Sequence, residues 1–266
     1  MRWWYLPILL LILHAPPTHA ESIRVVTETW PPYTYSKNGE ISGVVTEIIR
    51  AALDQSRLNY TIELYPFARA YTMARDGENI LIYSILKLPS RSKSFKWIKI
   101  DGLSIDMYLF KPQYRTDITI RNLADAKRFR VGVTRQTSTH HYLLSKGFIE
   151  GVNLFPVNSE QQNAMKSQPE TMRIDLTTGD RLSLACWLKK AQLHPEYWVE
   201  QLPLFKEDLY MAFGTATSDE IVNRVRRAFR DIRNSGKLAD IIAQYHGLFG
   251  PKLPATKTRK APLRRP

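Results

Sequence analysis

The sequence predicts an α/β fold, in which a mostly parallel sheet carries helices on its faces. Short apolar runs such as residues 23–27 and 79–85 are typical of buried strands. Longer segments with apolar residues at helical spacing lie between these runs, and strands that alternate with helices favour parallel pairing. This rhythm changes near residues 108–110 and returns near residues 210–213, and the length of the chain fits one large domain or two smaller ones.

The elements of the first part follow in chain order. Residues 23–27 are predicted to form a strand, 43–56 a helix with one apolar face, and 58–66 an alternating strand. The next helix starts at Pro66, because proline suits a first helical turn, and it ends at Gly77. Residues 79–85 then form a third strand. Strand, helix, strand, helix, strand is thus the predicted order.

The later elements repeat this unit. Residues 129–133 are a predicted strand between two helices, and residues 172–192 hold a strand, a polar turn and a helix. Residues 207–214 are predicted to form a return strand. Thr217 and Glu220 have the spacing of a capping box at the start of a helix. Gly236 is expected to separate this helix from a last one over residues 237–245.

The first twenty residues are predicted to be a secretory signal peptide. They combine Arg2, an apolar run over residues 6–13 and a small-x-small site that ends at Ala20. The apolar run is shorter than the ~20 residues that a membrane-spanning helix needs. We therefore expect a mature chain that starts at Glu21 and is free in the periplasm.

The net charge of +13 is concentrated in part at the carboxyl end. Residues 251–266 carry six basic residues and no acid, with several prolines and no apolar periodicity. Such a composition predicts a disordered basic tail. The remaining charge is spread without a basic run, so a nucleic-acid partner is not expected.

Neither a metal nor a cofactor is expected from the sequence. The single cysteine, Cys186, cannot form an internal disulfide and lies in an apolar stretch that favours a buried thiol. The adjacent His140 and His141 and the lone His194 lack metal-ligand spacing. No nucleophile is paired with a base, so no catalytic residue is assigned.

The loop "TETWPPYTYSKNGEISG" at residues 27–43 has an unusual composition. Two prolines stop the first strand, because proline cannot donate to a sheet ladder. Trp30 and Tyr33 are then held on a stiff loop at the carboxyl end of a strand, where open α/β sheets bind ligands. The alternative is that these aromatic rings cap the core.

Six motifs resemble a known family in the order in which that family has them. They are "ETWPPYTY…NGEISGVVTEII", "YPFARAYTMARDGE", "LPSRSKSFKW", "FRVGVTRQTST", "RIDLTTGD" and "GKLADIIAQYHG". The chain resembles, from residue 21 to about 250, the bacterial extracellular solute-binding proteins of family 3. The resemblance implies a two-lobed type II periplasmic-binding-protein clamshell, with lobe 1 at 21–110 plus 207–250 and lobe 2 at 111–206. The signal peptide, 1–20, and the tail, 251–266, lie outside these lobes.

The resemblance also implies a set of ligand-binding residues. Arg91 takes the position of the arginine that holds the ligand's carboxylate, and a guanidinium fork suits that group. Asp180 takes the position of the acid that pairs with an α-ammonium group, although it also has the position of a helix cap. The other implied ligand-binding residues are Glu28, Trp30, Tyr33, Phe67, Ser84, Thr137 and Ser138. Helix capping is the alternative for the last two, and a surface position is the alternative for Arg91.

Two positions depart from the family's pattern. Leu86 replaces the hydroxyl expected five residues before Arg91, and Leu88 replaces a frequent threonine. Ser84 is the nearest polar residue that could compensate for the lost hydrogen bonds.

The function implied is capture of a small polar solute, an amino acid or a related compound, for a membrane ABC permease. A monomer is expected. One alternative is an enzyme on the same fold, similar to cyclohexadienyl dehydratases, with Glu28 or Asp180 as a general acid. Another alternative is a ligand sensor that acts in trans.

Overall fold

The computed structural model describes residues 22–168, 171–190, 192 and 194–245. The predicted signal peptide and the predicted basic tail lie outside these residues. Within them, no helix is both long and apolar enough to cross a membrane.

The described strands form one mixed eight-stranded sheet and one small hairpin. The sheet has the order β4-β1-β5-β10-β6-β9-β7-β8, and β2 pairs with β3. The strands are β1 (Ser22–Thr27), β2 (Tyr35–Lys37), β3 (Glu40–Ser42), β4 (Asn59–Leu64), β5 (Ile80–Leu86), β6 (Phe95–Pro112), β7 (Val131–Thr134), β8 (Leu154–Val157), β9 (Leu176–Gly179) and β10 (Trp198–Gly214).

Helices flank this sheet on its faces. They are α1 (Val44–Ser56), α2 (Phe67–Asp76), α3 (Leu123–Ala126), α4 (Ser138–Ser145), α5 (Glu160–Lys166), α6 (Arg181–Lys190), α7 (Asp219–Asn234) and α8 (Lys237–Gln244). Short 3-10 turns cover Pro89–Ser94 and Pro195–Tyr197. The α/β prediction is confirmed.

Two long strands join two parallel half-sheets. In the first, β1 lies parallel to β4 and β5, and in the second β7 lies parallel to β8 and β9. β6 and β10 run antiparallel between the halves, where β10 pairs with β5 and β6 pairs with β9. We call the β4-β1-β5 side the first lobe and the β9-β7-β8 side the second lobe. The predicted boundaries at residues 110 and 207 stay predictions.

The sheet of the first lobe is covered on both faces because its strands are apolar on both. Val25 and Leu81 pack in the same core as helices α1 and α7, whereas the next residues along each strand, Val26 and Ile82, pack against α2. Successive side chains of a strand point to opposite faces, which explains this division. Strands buried on both faces are typical of parallel sheets between helices.

The return strand is longer than its sequence predicts. β10 begins at Trp198, nine residues before the predicted start at Glu207. Its pairing with β6 shifts register between Glu200 and Leu202 and again between Pro203 and Phe205. Each irregularity breaks the alternation of buried and exposed residues, and the sequence pattern therefore does not show this part of the strand.

The predicted capping box at Thr217 is wrong. Ser218 is the N-cap of α7, and its side chain accepts a hydrogen bond from the Ile221 amide. Thr217 Oγ1 instead accepts a hydrogen bond from the Asn79 amide, which ties the start of α7 to the turn before β5. Gly236 separates α7 from α8 with a φ of 86°, as its position in the sequence predicts.

Gly43 holds the aromatic loop against helix α1. Its φ is +122°, and a Cβ atom there would lie 2.4 Å from the Tyr33 carbonyl oxygen. That carbonyl accepts a hydrogen bond from the Val45 amide at 3.1 Å, so neither backbone segment can move away without losing this bond. Only glycine therefore fits between the loop and the helix.

We expect Gly43→Ala to lower the unfolding temperature by several degrees. Gly39→Ala is the matched control, because Gly39 also has a positive φ, +85°, but has nothing within 4 Å of its virtual Cβ. Strain alone should cost about 1–2 kcal/mol at either site, and each kcal/mol shifts the midpoint by roughly 2–4 °C in a chain of this size. Thermal unfolding of both variants tests this explanation. An equal decrease in unfolding temperature for the two variants would contradict it.

Candidate functional site

A cavity of about 50 Å³ lies between the two lobes. The first lobe lines it with residues at the end of β5 and after β1, β4 and β5, and the second lobe with residues at the ends of β7 and β9 and after β7 and β8. The lining residues are Glu28, Trp30, Phe67, Ser84, Leu86, Arg91, Met107, Thr134, Thr137, Ser138, Thr139, Glu160 and Thr178. Carboxyl ends of parallel strands are where open α/β sheets place their ligands.

Arg91 is the basic residue of this cavity, and only 3% of it is exposed. Its Nη2 donates to the Leu86 carbonyl and to Ser138 Oγ, while Nε and Nη1 are buried and have no hydrogen-bond partner in the described part of the chain. The guanidinium also lies 5.8 Å and 5.6 Å from the ring centres of Phe67 and Tyr71. Burial lowers the pKa of Arg91 to about 10.

The backbone at position 86 accepts a hydrogen bond from Arg91 but cannot donate one to a carboxylate, as the missing hydroxyl could. Leu86 offers its carbonyl to Arg91, and Ser138 from the second lobe supplies a hydroxyl. Ser84 lines the cavity but shares a hydrogen bond of 3.2 Å with Thr34 Oγ1. Arg91 is therefore oriented by one partner from each lobe.

Helix α4 begins at the cavity wall. Thr137 is its N-cap, accepts a hydrogen bond from the His140 amide and donates to the Thr134 carbonyl at 2.7 Å. Both Thr137 and Ser138 line the cavity. The capping interpretation and a position at the ligand site therefore hold together for Thr137.

The proline-stiffened loop aims its two aromatic rings at the second lobe. Backbone hydrogen bonds between Trp30 and Thr34 close the turn in both directions, at 2.7 Å and 2.9 Å. The rings of Trp30 and Tyr33 are 4.8 Å apart. Trp30 Nε1 and Tyr33 OH each donate to the Asp180 carboxylate at 3.0 Å.

Asp180 accepts hydrogen bonds from these donors and from its own helix. The amides of Leu182 and Ser183 also donate to its Oδ1 at 3.0 Å, so it caps α6 while it holds the first lobe. Burial raises the pKa of Asp180 to about 6, although these hydrogen bonds oppose the shift. Tyr33 and Asp180 are not among the residues that line the cavity, whereas the other predicted ligand-binding residues are.

Glu160 is a cavity residue that the sequence analysis did not select. It is the first residue of α5, it is buried, and its Oε2 accepts hydrogen bonds from Ser183 Oγ and from Trp187 Nε1. Burial and the nearby Asp180 raise the pKa of Glu160 well above its usual range. An acid that follows a serine cap is common at the start of a helix, so its pattern gives no sign of a ligand site.

Glu28 is the second carboxyl group of the cavity. It follows β1 on the first lobe, and burial raises its pKa to about 8 without an opposing hydrogen bond.

Within the described residues, no group of three or more histidine, cysteine, aspartate or glutamate residues could hold a metal ion. Cys186 is half-buried, so the expected buried position of this thiol is wrong.

The two lobes and the enclosed polar site between them define a clamshell solute-binding protein. Residues 23–248 match the bacterial extracellular solute-binding proteins, family 3, and the chain belongs to this family. The predicted family is thereby confirmed. A comparison with curated proteins finds no match.

Solved structures share the fold at low sequence identity. A histidine kinase sensor domain with similarity to periplasmic binding proteins has a TM-score of 0.74 and 16% identity, with 85% of this chain and 96% of that chain covered. An ancestral arginine-binding protein bound to arginine has a TM-score of 0.72 and 16% identity, over 86% and 98%. The arginine-, lysine-, histidine-binding protein ArtJ from Geobacillus stearothermophilus has a TM-score of 0.68 and 17% identity, over 87% and 96%.

Proposed function

We propose that the protein is a periplasmic solute-binding protein that captures an amino acid or a related carboxylate solute for a membrane ABC importer. The observation that carries this proposal is Arg91, a buried cation on the cavity wall with two nitrogens that have no partner among the described residues. Binding without catalysis, as a monomer, is part of the proposal.

The free energy of burying Arg91 supports an anionic ligand. A buried charge is strongly destabilising unless it is paired, and a buried donor without an acceptor adds to that cost. The hydrogen-bond partners of Arg91 are a carbonyl and a hydroxyl, and neither is a carboxylate. A carboxylate of the ligand beside the guanidinium would supply the opposite charge and an acceptor for a free nitrogen.

The family and the fold support the export and transport parts of the proposal. Family members are extracellular proteins, which agrees with the predicted signal peptide at residues 1–20. Several solved proteins with the same fold are amino-acid-binding proteins or belong to amino-acid ABC transporters. A clamshell closes on its ligand by hinge bending, and the long strands β6 and β10 are the segments that pass between the lobes here.

A thermal-shift screen over amino acids and small carboxylates is expected to return at least one stabilising compound. A ligand at 100 times its dissociation constant adds about 2.7 kcal/mol to the free energy of unfolding. At roughly 2–4 °C per kcal/mol, the midpoint should rise by about 5–11 °C. If none of these compounds shifts the midpoint, the proposed ligand class is wrong.

A catalytic function is the second candidate, because Glu28 keeps its proton near neutral pH. A carboxyl group with a pKa of about 8 on a cavity wall can act as a general acid. Incubation with prephenate and arogenate tests this function. Product formation that is lost in Glu28→Gln would favour a dehydratase over a binding protein.

A further inference from the structure

We infer that a groove on the first lobe, separate from the ligand cavity, binds an acidic segment of a partner protein in extended conformation. The groove lies between residues 97–101 of strand β6 and four arginines of helix α7, which are Arg226, Arg227, Arg230 and Arg233. We call it the arginine groove. Its volume is about 440 Å³, and none of its lining residues also lines the ligand cavity. This inference goes beyond solute capture and holds for whichever solute the cavity takes.

The arginine groove follows an edge of the sheet. Trp97, Ile98 and Lys99 all line it, although successive side chains of a strand point to opposite faces. A pocket on one face would be lined by alternate residues, so this groove runs along the side of the strand. Over Phe95–Lys99, β6 pairs with β10, and its pairing with β9 is at residues 108–110. In the described part of the chain, the other side of this stretch therefore has no strand beside it, and such an edge can pair with another chain.

Basic residues outnumber acids in the arginine groove by five to one. Lys99 pairs with Asp208 at 2.6 Å, and Arg233 pairs with Asp101 at 2.9 Å. The other three basic residues are exposed and form no ion pair within the described residues, and they are Arg226, Arg227 and Arg230. Charged side chains keep most strands away from a sheet edge. These cations leave the edge open to a segment that carries carboxylates, because opposite charges attract.

The spacing of the arginines fits an extended chain. Arg226, Arg230 and Arg233 follow one another at about one helical turn, which is roughly 4.5–6 Å along α7 at about 1.5 Å per residue. Ile98 and Phe229 pack in the same core, so α7 covers one face of the sheet at this edge. A strand added beside β6 would present alternate side chains to that face, about 6.6–6.8 Å apart. Acidic residues at alternate positions would thus face successive arginines.

The charge of the protein excludes its own segments as the occupant. Residues 251–266 carry six basic residues and no acid, and the whole chain has a net charge of +13, so the tail and a second copy are both repelled. A membrane surface with anionic lipids is the competing partner. A flat layer of headgroups would contact the exposed ends of the arginines but would not enter a groove between a strand and a helix. An extended acidic segment uses both walls of the groove.

The test is fluorescence anisotropy of the predicted mature chain with a labelled eight-residue peptide in which glutamate and threonine alternate. We expect Arg226→Gln combined with Arg230→Gln to weaken binding at least about 10-fold, because two charge-assisted contacts are lost. Both residues are exposed and glutamine is a good helix former, so this double variant should fold. Binding to the wild type should also weaken as salt is added. A peptide with lysine in place of glutamate should not bind.

A second double variant controls for the loss of charge. Arg121→Gln combined with Arg128→Gln removes the same charge from two exposed residues beside α3, and it should bind the acidic peptide as the wild type does. The basic residues of 251–266 are common to all these proteins, so binding of the peptide to the tail would give equal affinities. Equal affinity of the Arg226 and Arg230 double variant and the wild type would overturn the inference.

Hydrogen–deuterium exchange tests whether the peptide adds to the sheet. We expect slower exchange over residues 95–101 when the peptide is bound, and no change in β4 (Asn59–Leu64), which is the other edge of the first lobe. Unchanged exchange over residues 95–101 with the peptide bound would show that strand addition is wrong.

Sedimentation with vesicles of phosphatidylglycerol and phosphatidylcholine in equal parts tests the competing partner. Vesicle binding that the Arg226 and Arg230 double variant loses, together with no binding of the acidic peptide, would replace the protein partner with a membrane surface and overturn the inference. No amino acid or other solute is present in these experiments. Their failure would therefore leave the proposed solute-binding function intact, and a negative thermal-shift screen would leave this inference intact.

Discussion

Arg91→Ala is expected to lower the affinity for a carboxylate ligand by a factor of several hundred or more. The ligand's carboxylate would then be desolvated without its partner, which costs about 3–5 kcal/mol when one member of a buried ion pair is removed. Arg91→Lys should recover only part of the affinity, because an ammonium group cannot form two parallel hydrogen bonds. Calorimetric titration with the best compound of the screen measures both effects.

The stability of the free protein provides the control for this result. Because Arg91 is buried with unpaired nitrogens, its removal should leave the unfolding temperature of the ligand-free protein unchanged or raised. Lys93→Ala is the matched variant, since Lys93 is exposed on the same 3-10 turn and should bind as the wild type does. An Arg91→Ala protein that is stable and still binds the carboxylate with full affinity would show that the proposed site is wrong.

The second large effect is expected from Glu28→Gln as the pH rises. The folded protein keeps the Glu28 proton up to a pH of about 8, whereas the usual pKa of the group is 4.5. Between these values the folded state binds more protons than the unfolded state, so the free energy of unfolding falls as the pH rises. Each pH unit in this range costs up to about 1.4 kcal/mol, and glutamine, which has no proton to lose, avoids this cost.

Thermal unfolding at several pH values measures this difference. The variant and the wild type should unfold at similar temperatures near pH 5, and the variant should be the more stable by several degrees at pH 8.5. Arg91, Glu160 and Asp180 are present in both proteins, so their own titration largely cancels in the comparison. Glu40→Gln, at an exposed residue of strand β3 that does not line the cavity, is the control and should show no such pH-dependent gain. If the difference in unfolding temperature between Glu28→Gln and the wild type stayed constant over this pH range, Glu28 would be ionised in the folded state.

The fold could be predicted where an element carries its own local signal, whereas strand β8 and helix α5 were not predicted. Pro66 and Gly77 bound helix α2 as expected, and the alternation of strands and helices gives the parallel half-sheets. The exceptions are positions where tertiary contacts override that signal. Register shifts hide the first half of β10, and Thr217 bonds to Asn79 instead of capping its helix.

The residues of the candidate site could be predicted only where a family motif showed which position each residue takes. Arg91 has the sequence surroundings of a surface residue, among several lysines, and its burial follows from the packing of Phe67 and Tyr71 around it. Glu160 was missed because its importance depends on Ser183 and Trp187, which lie more than twenty residues away in the chain. Such contacts between distant segments leave no local pattern.

The hydrogen bonds from Trp30 and Tyr33 to Asp180 affect whether the ligand-free protein also adopts the conformation in which the two lobes are joined. They join the lobes using only groups of the protein, and hydrogen bonds to a charged acceptor are each worth about 1.5–3 kcal/mol. They therefore lower the free energy of the conformation in which the lobes are joined, and a ligand that favours this conformation needs to supply only the remaining difference between the two states. A membrane partner that recognised only the conformation with joined lobes would also bind ligand-free protein, in a proportion that these two hydrogen bonds help to set. Weakening the two hydrogen bonds would lower that proportion and would also lower the affinity for the ligand.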